Sequence, residues 1–186
     1  MFSKINSLAA LLILVCCGPG ASLTVGETTH ATVLEYEAKA GFLYNFLKFV
    51  TWPDEKDLGT DDWQIGVIAD ENVVNTIRET LVQKRVAGRH IAVSAIEACE
   101  NMEKYHVMFV AGNYMDVSTS LIAELKNFPV LVVGEVPEFA GVHGIIGFVK
   151  REDILRLEIN PLRARTAGLI ISHKLASLGE LVDDKS

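Results

Sequence analysis

The chain has 186 residues, with 24 Asp and Glu against 17 Lys and Arg, a formal charge of −7, and 49% hydrophobic residues. An acidic chain of this kind is not built to bind nucleic acid, because phosphate recognition rests on basic surface. The length suits a single domain large enough to bury a sizeable core.

The first element in chain order is a leader. Residues 1–6 carry one positive charge, Lys4, and Leu8 to Cys17 form an unbroken apolar run. Gly18, Pro19, Gly20, Ala21 and Ser22 follow as breakers and small residues, the layout of a secretory signal peptide. The run is far shorter than the roughly 20 residues needed to span a bilayer. We therefore expect residues 1–22 to be removed on export to the periplasm. Cys16 and Cys17 raise lipid attachment as another option, against which stands the absence of a small residue just before the Cys. Removal of Lys4 leaves 24 acids against 16 Lys and Arg, a charge of −8. Cys99 is then the only cysteine, so an intramolecular disulfide is excluded and the fold rests on its apolar core.

Residues 34–50 place apolar side chains at 38, 42, 43, 46, 47, 49 and 50, a broad helical face that the Trp52-Pro53 step ends. An acidic turn over 54–62 leads to a strand at 63–69, after which Asp70 caps a helix with Val73, Val74, Ile77 and Leu81 inward. Strands are expected at 90–96 and 105–111, a helix at 115–126, and a near-continuous apolar strand at 129–134. Residues 135–143 read as a loop. Strands at 145–149 and 154–159 flank a short charged turn and should pair antiparallel. Asn160 caps a last helix with Pro161 at its first position and apolar residues out to Leu178. Residues 183–186 read as a frayed acidic tail.

This alternation predicts an α/β fold: a three-layer sandwich with a mixed, largely parallel sheet and an antiparallel C-terminal strand pair. Residues 23–182 read as its single domain.

Catalytic signatures are missing. The histidines at 30, 90, 106, 143 and 173 show no metal-ligand spacing, and no Gly-rich phosphate loop, GxSxG elbow or CxxC pair is present. No cofactor and no enzymatic activity are expected. Tyr44 and Trp52, amphipathic and near a helix edge, are candidates for a pocket rim or partner contact. Glu135 follows a buried strand at the end where open α/β sheets bind ligands. Asn160 with Arg163 and Arg165 brings a helix start together with two cations, an arrangement suited to an anion.

Three blocks carry a family resemblance: AKAGFLYNFLKFVTWP, VLVVGEVPEFAGVHGIIGFV and LRLEINPLRARTAGLIISHKLASL. In this order they resemble the YfiR family of small periplasmic proteins, at Phe42, Tyr44, Asn45, Trp52, Pro53, Gly134, Phe139, Gly144, Asn160, Gly168 and Leu169. The resemblance implies a non-catalytic, dimeric regulator. Its partner would be the periplasmic domain of a membrane-bound diguanylate cyclase, which it represses, lowering cyclic-di-GMP and biofilm formation. Family members that tune stability through disulfides offer no parallel here, since only Cys99 follows the leader. A small-molecule binding module using a strand-end pocket near Glu135 and Asn160 is the other reading of the residues.

Overall fold

A computed structural model describes residues 25–53, 62–96 and 102–185, with the side chains of 25–31 and 117 excepted. The leader with Cys16 and Cys17, nearly all of the acidic turn, Cys99 and Ser186 lie outside the described residues.

Helix α1 (Val25–Phe49) opens the described chain and runs into a two-residue strand, β1 (Val50–Thr51). Trp52-Pro53 therefore closes a strand and not the helix itself. β2 (Trp63–Ile68) leads to α2 (Glu71–Leu81), which buries Val73, Val74, Ile77 and Leu81 as its periodicity demands. A tight hairpin follows, β3 (Arg85–Val86) and β4 (Arg89–Ala95), turned by Ala87 and Gly88 at φ 49° and 81°. Two residues at positive φ make the turn that matches strand twist. β5 (Val107–Val110), α3 (Met115–Glu124), β6 (Leu131–Gly134) and α4 (Phe139–Val142) come next. The segment 135–143, expected as a loop, thus contains a helical turn, entered through Glu138 at φ 62°.

β7 (Ile146–Arg151) and β8 (Ile154–Ile159) form the expected antiparallel hairpin, turned by Glu152 and Asp153 at φ 51° and 60°. The last helix departs most from expectation. α5 (Pro161–Thr166) stops after six residues, where β9 (Ile170–Ile171), α6 (His173–Ala176) and β10 (Glu180–Leu181) replace its continuation. The reason is local. Gly168 adopts φ 73°, its N–H bonds the Arg165 carbonyl at 3.0 Å, and the Leu169 N–H bonds that of Ala164 at 2.8 Å. This pair of bonds around a left-handed glycine is the Schellman stop.

The strands form an eight-stranded mixed sheet in the order β10-β8-β7-β6-β5-β2-β4-β3, with β1 and β9 paired apart from it. From β4 to β7 neighbours run parallel, and β7–β8 and β3–β4 are antiparallel. The architecture is the predicted three-layer α/β sandwich. Strand alternation sends Val107, Phe109, Leu131 and Val133 toward α1 and α2, and Met108, Val110 and Val132 toward α3. Fully buried side chains such as Phe46, Phe109 and Phe148 each contribute about 1.5–3 kcal/mol of transfer energy.

After β2 the chain turns to one side of the sheet through α2, and after β4 it returns to β5 on β2's other flank. That reversal is a topological switch point at the carboxyl ends of β2 and β5, the edge at which open α/β sheets bind ligands.

Candidate functional site

Asp70 follows β2, Gly112 follows β5 and Glu135 follows β6, so all three stand at the carboxyl edge of the parallel strands. α1 crosses above them and contributes Glu35, Tyr36 and Lys39. Glu135 is the centre of the group. Its Oε1 accepts the Gly112 N–H at 2.8 Å and the Tyr36 hydroxyl at 3.0 Å, and its Oε2 meets Lys39 Nζ at 2.5 Å. Lys39 also reaches Glu35 at 2.6 Å and lies 4.5 Å above the Tyr36 ring. Lys39 is only 3% exposed, so its charge is compensated at close range by two carboxylates and a ring face. Burial, then the Glu135 charge, pushes the Tyr36 hydroxyl well above its ordinary pKa, so this phenol holds its proton. Asp70, expected as a helix cap, makes no side-chain cap bond; its carboxylate takes the Tyr114 hydroxyl at 2.7 Å instead. The cluster acts chemically as a lock between α1 and the strand ends.

Sequence reasoning found Glu135 and missed Tyr36 and Lys39. The one available signal was the i,i+4 spacing of Glu35 and Lys39 on a helix.

Trp52 lies at the opposite, amino-terminal edge of the strands. It is 8% exposed, and its indole N–H donates to the His106 carbonyl at 3.2 Å. The Trp52 and Trp63 rings sit 5.4 Å apart, and His106 packs edge-on to both. The His106 Nδ1 accepts the Gln64 N–H at 3.0 Å, so the imidazole pins strand register, in keeping with a core histidine. Trp52 and Trp63 nevertheless show one side to an open cleft shared with Lys48 and Arg89, whose guanidinium stacks 4.4 Å from the Trp63 ring. Tyr44 borders the same region: its hydroxyl donates to the Arg85 carbonyl at 3.3 Å, and Lys48 lies over its ring.

Asn160 and Arg163 come together, but around an anion that the chain itself supplies. The Asn160 Oδ1 caps α5 by accepting the Arg163 N–H at 3.0 Å, while its Nδ2 donates to the Ala140 carbonyl at 3.0 Å and to Asp184 at 2.9 Å. The Arg163 Nε bonds the same Asp184 oxygen at 2.6 Å. Lys185 adds a backbone bond to the Gly141 carbonyl and an ion pair with Glu138. Residues 183–185, read as frayed, are therefore tied down, because buried Asn160 and half-buried Arg163 need an acceptor. Arg163 bonding keeps the Asp184 carboxyl below its ordinary pKa.

Glu135 and Asn160 do not share a pocket. Glu135 packs with α1 on one face of the sheet, and Asn160 bonds α4 on the other. The strand-end pocket expected to join them is corrected by the sheet that separates them.

Among the described residues no cluster of His, Cys, Asp or Glu is arranged to hold a metal, and no helix is long and apolar enough to cross a membrane. Fold and sites together define a three-layer α/β protein whose conspicuous polar groups satisfy one another. The model of the YfiR/HmsC-like family matches residues 36–180, and the chain belongs to that family, one of signalling regulators. No curated protein matches the chain.

Proposed function

We propose that this protein is a periplasmic repressor that binds the periplasmic domain of a membrane-bound diguanylate cyclase, lowering cyclic-di-GMP and biofilm formation. The observation that carries this reading is the family match, which runs from α1 to β10 and takes in all three sequence blocks. The physical mechanism is population shift: a regulator that binds the inactive state of a sensor domain more tightly than the active one biases its output. A differential of a few kcal/mol is enough to move such an equilibrium substantially.

The partner contact is assigned to the surface bordered by Tyr44, Lys48, Trp52 and Arg89. Indole and phenol faces beside cations suit an interface, where aromatic residues and Arg concentrate binding energy. The Glu135 network serves this function by holding α1, which carries Tyr44 and Lys48, at a set angle on the sheet. In this reading the working form is an exported homodimer without cofactor or turnover.

The test is genetic and quantitative. Deleting the gene in a strain with its cognate cyclase intact should raise cyclic-di-GMP, and the wild-type copy should restore it. An unchanged level after deletion would overturn the reading.

A further inference from the structure

Beside the Asn160, Arg163 and Asp184 cluster a groove lies between α3, the strand start at Val130 and α5, on the sheet face away from α1. It encloses about 250 Å³ over an apolar floor that includes Ile122, Val132 and Ile145. Its charged lining residues are Lys126, Arg163 and Asp184. With two cations and one carboxylate the groove carries a net +1, inside a chain whose formal charge is −7. The positive character is thus a local construction.

Arg163 is held in place by three acceptors. Its Nε bonds Asp184 at 2.6 Å, Nη1 the His143 carbonyl at 3.1 Å, and Nη2 the Gly141 carbonyl at 3.3 Å. A guanidinium has five N–H donors, so these bonds leave one donor on each terminal nitrogen. Asp184 offsets the Arg163 charge, and the charge of Lys126 is felt at the same carboxylate. The surplus positive charge sits beside a guanidinium fixed in place with two donors left, chemistry that suits a carboxylate.

We infer that this groove binds a small amphiphilic monocarboxylate, its apolar body on Ile122 and Val132 and its carboxylate between Arg163 and Lys126. A single surplus charge matches a single negative charge. The apolar floor disfavours a heavily hydrated ion such as phosphate. The volume, just under the roughly 300–1,000 Å³ of pockets for drug-sized ligands, fits a small body. The site is independent of the partner surface, which lies on the other side of the sheet.

The test uses the full mature chain with octanoate and phenylacetate as probes and octanol as the uncharged control, followed by amide chemical shifts and calorimetry. At least one carboxylate should bind saturably, with shifts confined to 119–126, 143–145 and 163–167, and octanol should bind about tenfold more weakly or not at all. Lys126→Glu should weaken carboxylate binding about tenfold, and Ala123→Trp should block the groove. Both positions are exposed on α3 or just after it, and both variants should keep the wild-type unfolding transition. Absence of saturable binding by both carboxylates overturns the assignment. So does equal binding of octanol and octanoate, or binding indifferent to Lys126→Glu.

Discussion

Lys39 and Glu135, 96 positions apart in the chain, meet at 2.5 Å where α1 crosses the end of β6. The lysine is almost fully buried and the glutamate is 14% exposed, so the pair is shielded from water far more than a surface ion pair. It ties the first helix to the carboxyl edge of the sheet through side chains, where no backbone ladder can do so.

Removing one partner of this pair should be costly. Lys39→Ala leaves Glu135 with a buried charge and is expected to destabilise the fold by about 3 kcal/mol. Lys39→Met combined with Glu135→Gln, which keeps an acceptor for the Gly112 N–H, should recover part of that loss. Urea unfolding midpoints at unchanged m-value provide the measurement. A Lys39→Ala protein as stable as wild type would show that the pair is solvated in solution.

Tyr36 should be silent in an alkaline titration of the folded protein. Its pKa is raised first by burial and then by Glu135, while the unfolded chain ionises a tyrosine at about 10. Above that pH the unfolded state has released a proton that the native state keeps, so stability falls as pH rises. Below it the contribution is fully present. The Asp70 bond also raises the Tyr114 hydroxyl, so the reading is a difference: phenolate absorbance of the native protein should lag behind that of the unfolded chain, and Tyr36→Phe should shrink that lag by one tyrosine. An equal count in the native and unfolded wild type would refute the shift.

Phe139 and two glycines form one packing unit, which explains three of the family-matching positions. A Cβ on Gly134 or on Gly144 would overlap the Phe139 ring, which is fully buried. Gly144→Ala should destabilise by about 1–3 kcal/mol through overpacking. Phe139→Leu alone should also destabilise, but in the Gly144→Ala background it should relieve the clash, so the two changes are non-additive. A double-mutant cycle by thermal unfolding reads this coupling; simple additivity would mean that the ring does not occupy the space above Gly144.

Trp52 and Tyr44 should separate stability from partner binding. Trp52→Phe loses the indole bond to the His106 carbonyl, a cost of about 1 kcal/mol, whereas Trp52→Ala should cost about 3–5 kcal/mol. Tyr44→Ala, at a half-exposed side chain, should change stability far less and weaken binding to the cyclase periplasmic domain at least about tenfold. Affinity measured on the folded Tyr44→Ala protein is the deciding quantity. Unchanged affinity would remove Tyr44 from the interface.

The elements that were legible in the chain owe their form to near neighbours. Val107 to Val110 and Leu131 to Gly134 are short apolar runs bounded by polar or turn residues, and they are strands. The charged turn between β7 and β8 was recognisable because too few residues separate the strands for any other pairing. The Asn160 cap with Pro161 behind it was equally local, and it holds. Even the error at α5 had a local cause, since apolar periodicity ran on past a glycine that stops the helix.

Family and fold class were thus determined by the sequence, because strand, helix and turn preferences act over a few residues and the three blocks keep their order. Which side chains face one another was decided only by tertiary structure. Lys39 finds Glu135, Trp52 finds His106, and Arg163 finds Asp184 because the sheet brings distant strand ends level and sends its two faces to different helices. The same sheet keeps Glu135 and Asn160 apart, since spacing along a chain carries no record of which face a residue will share.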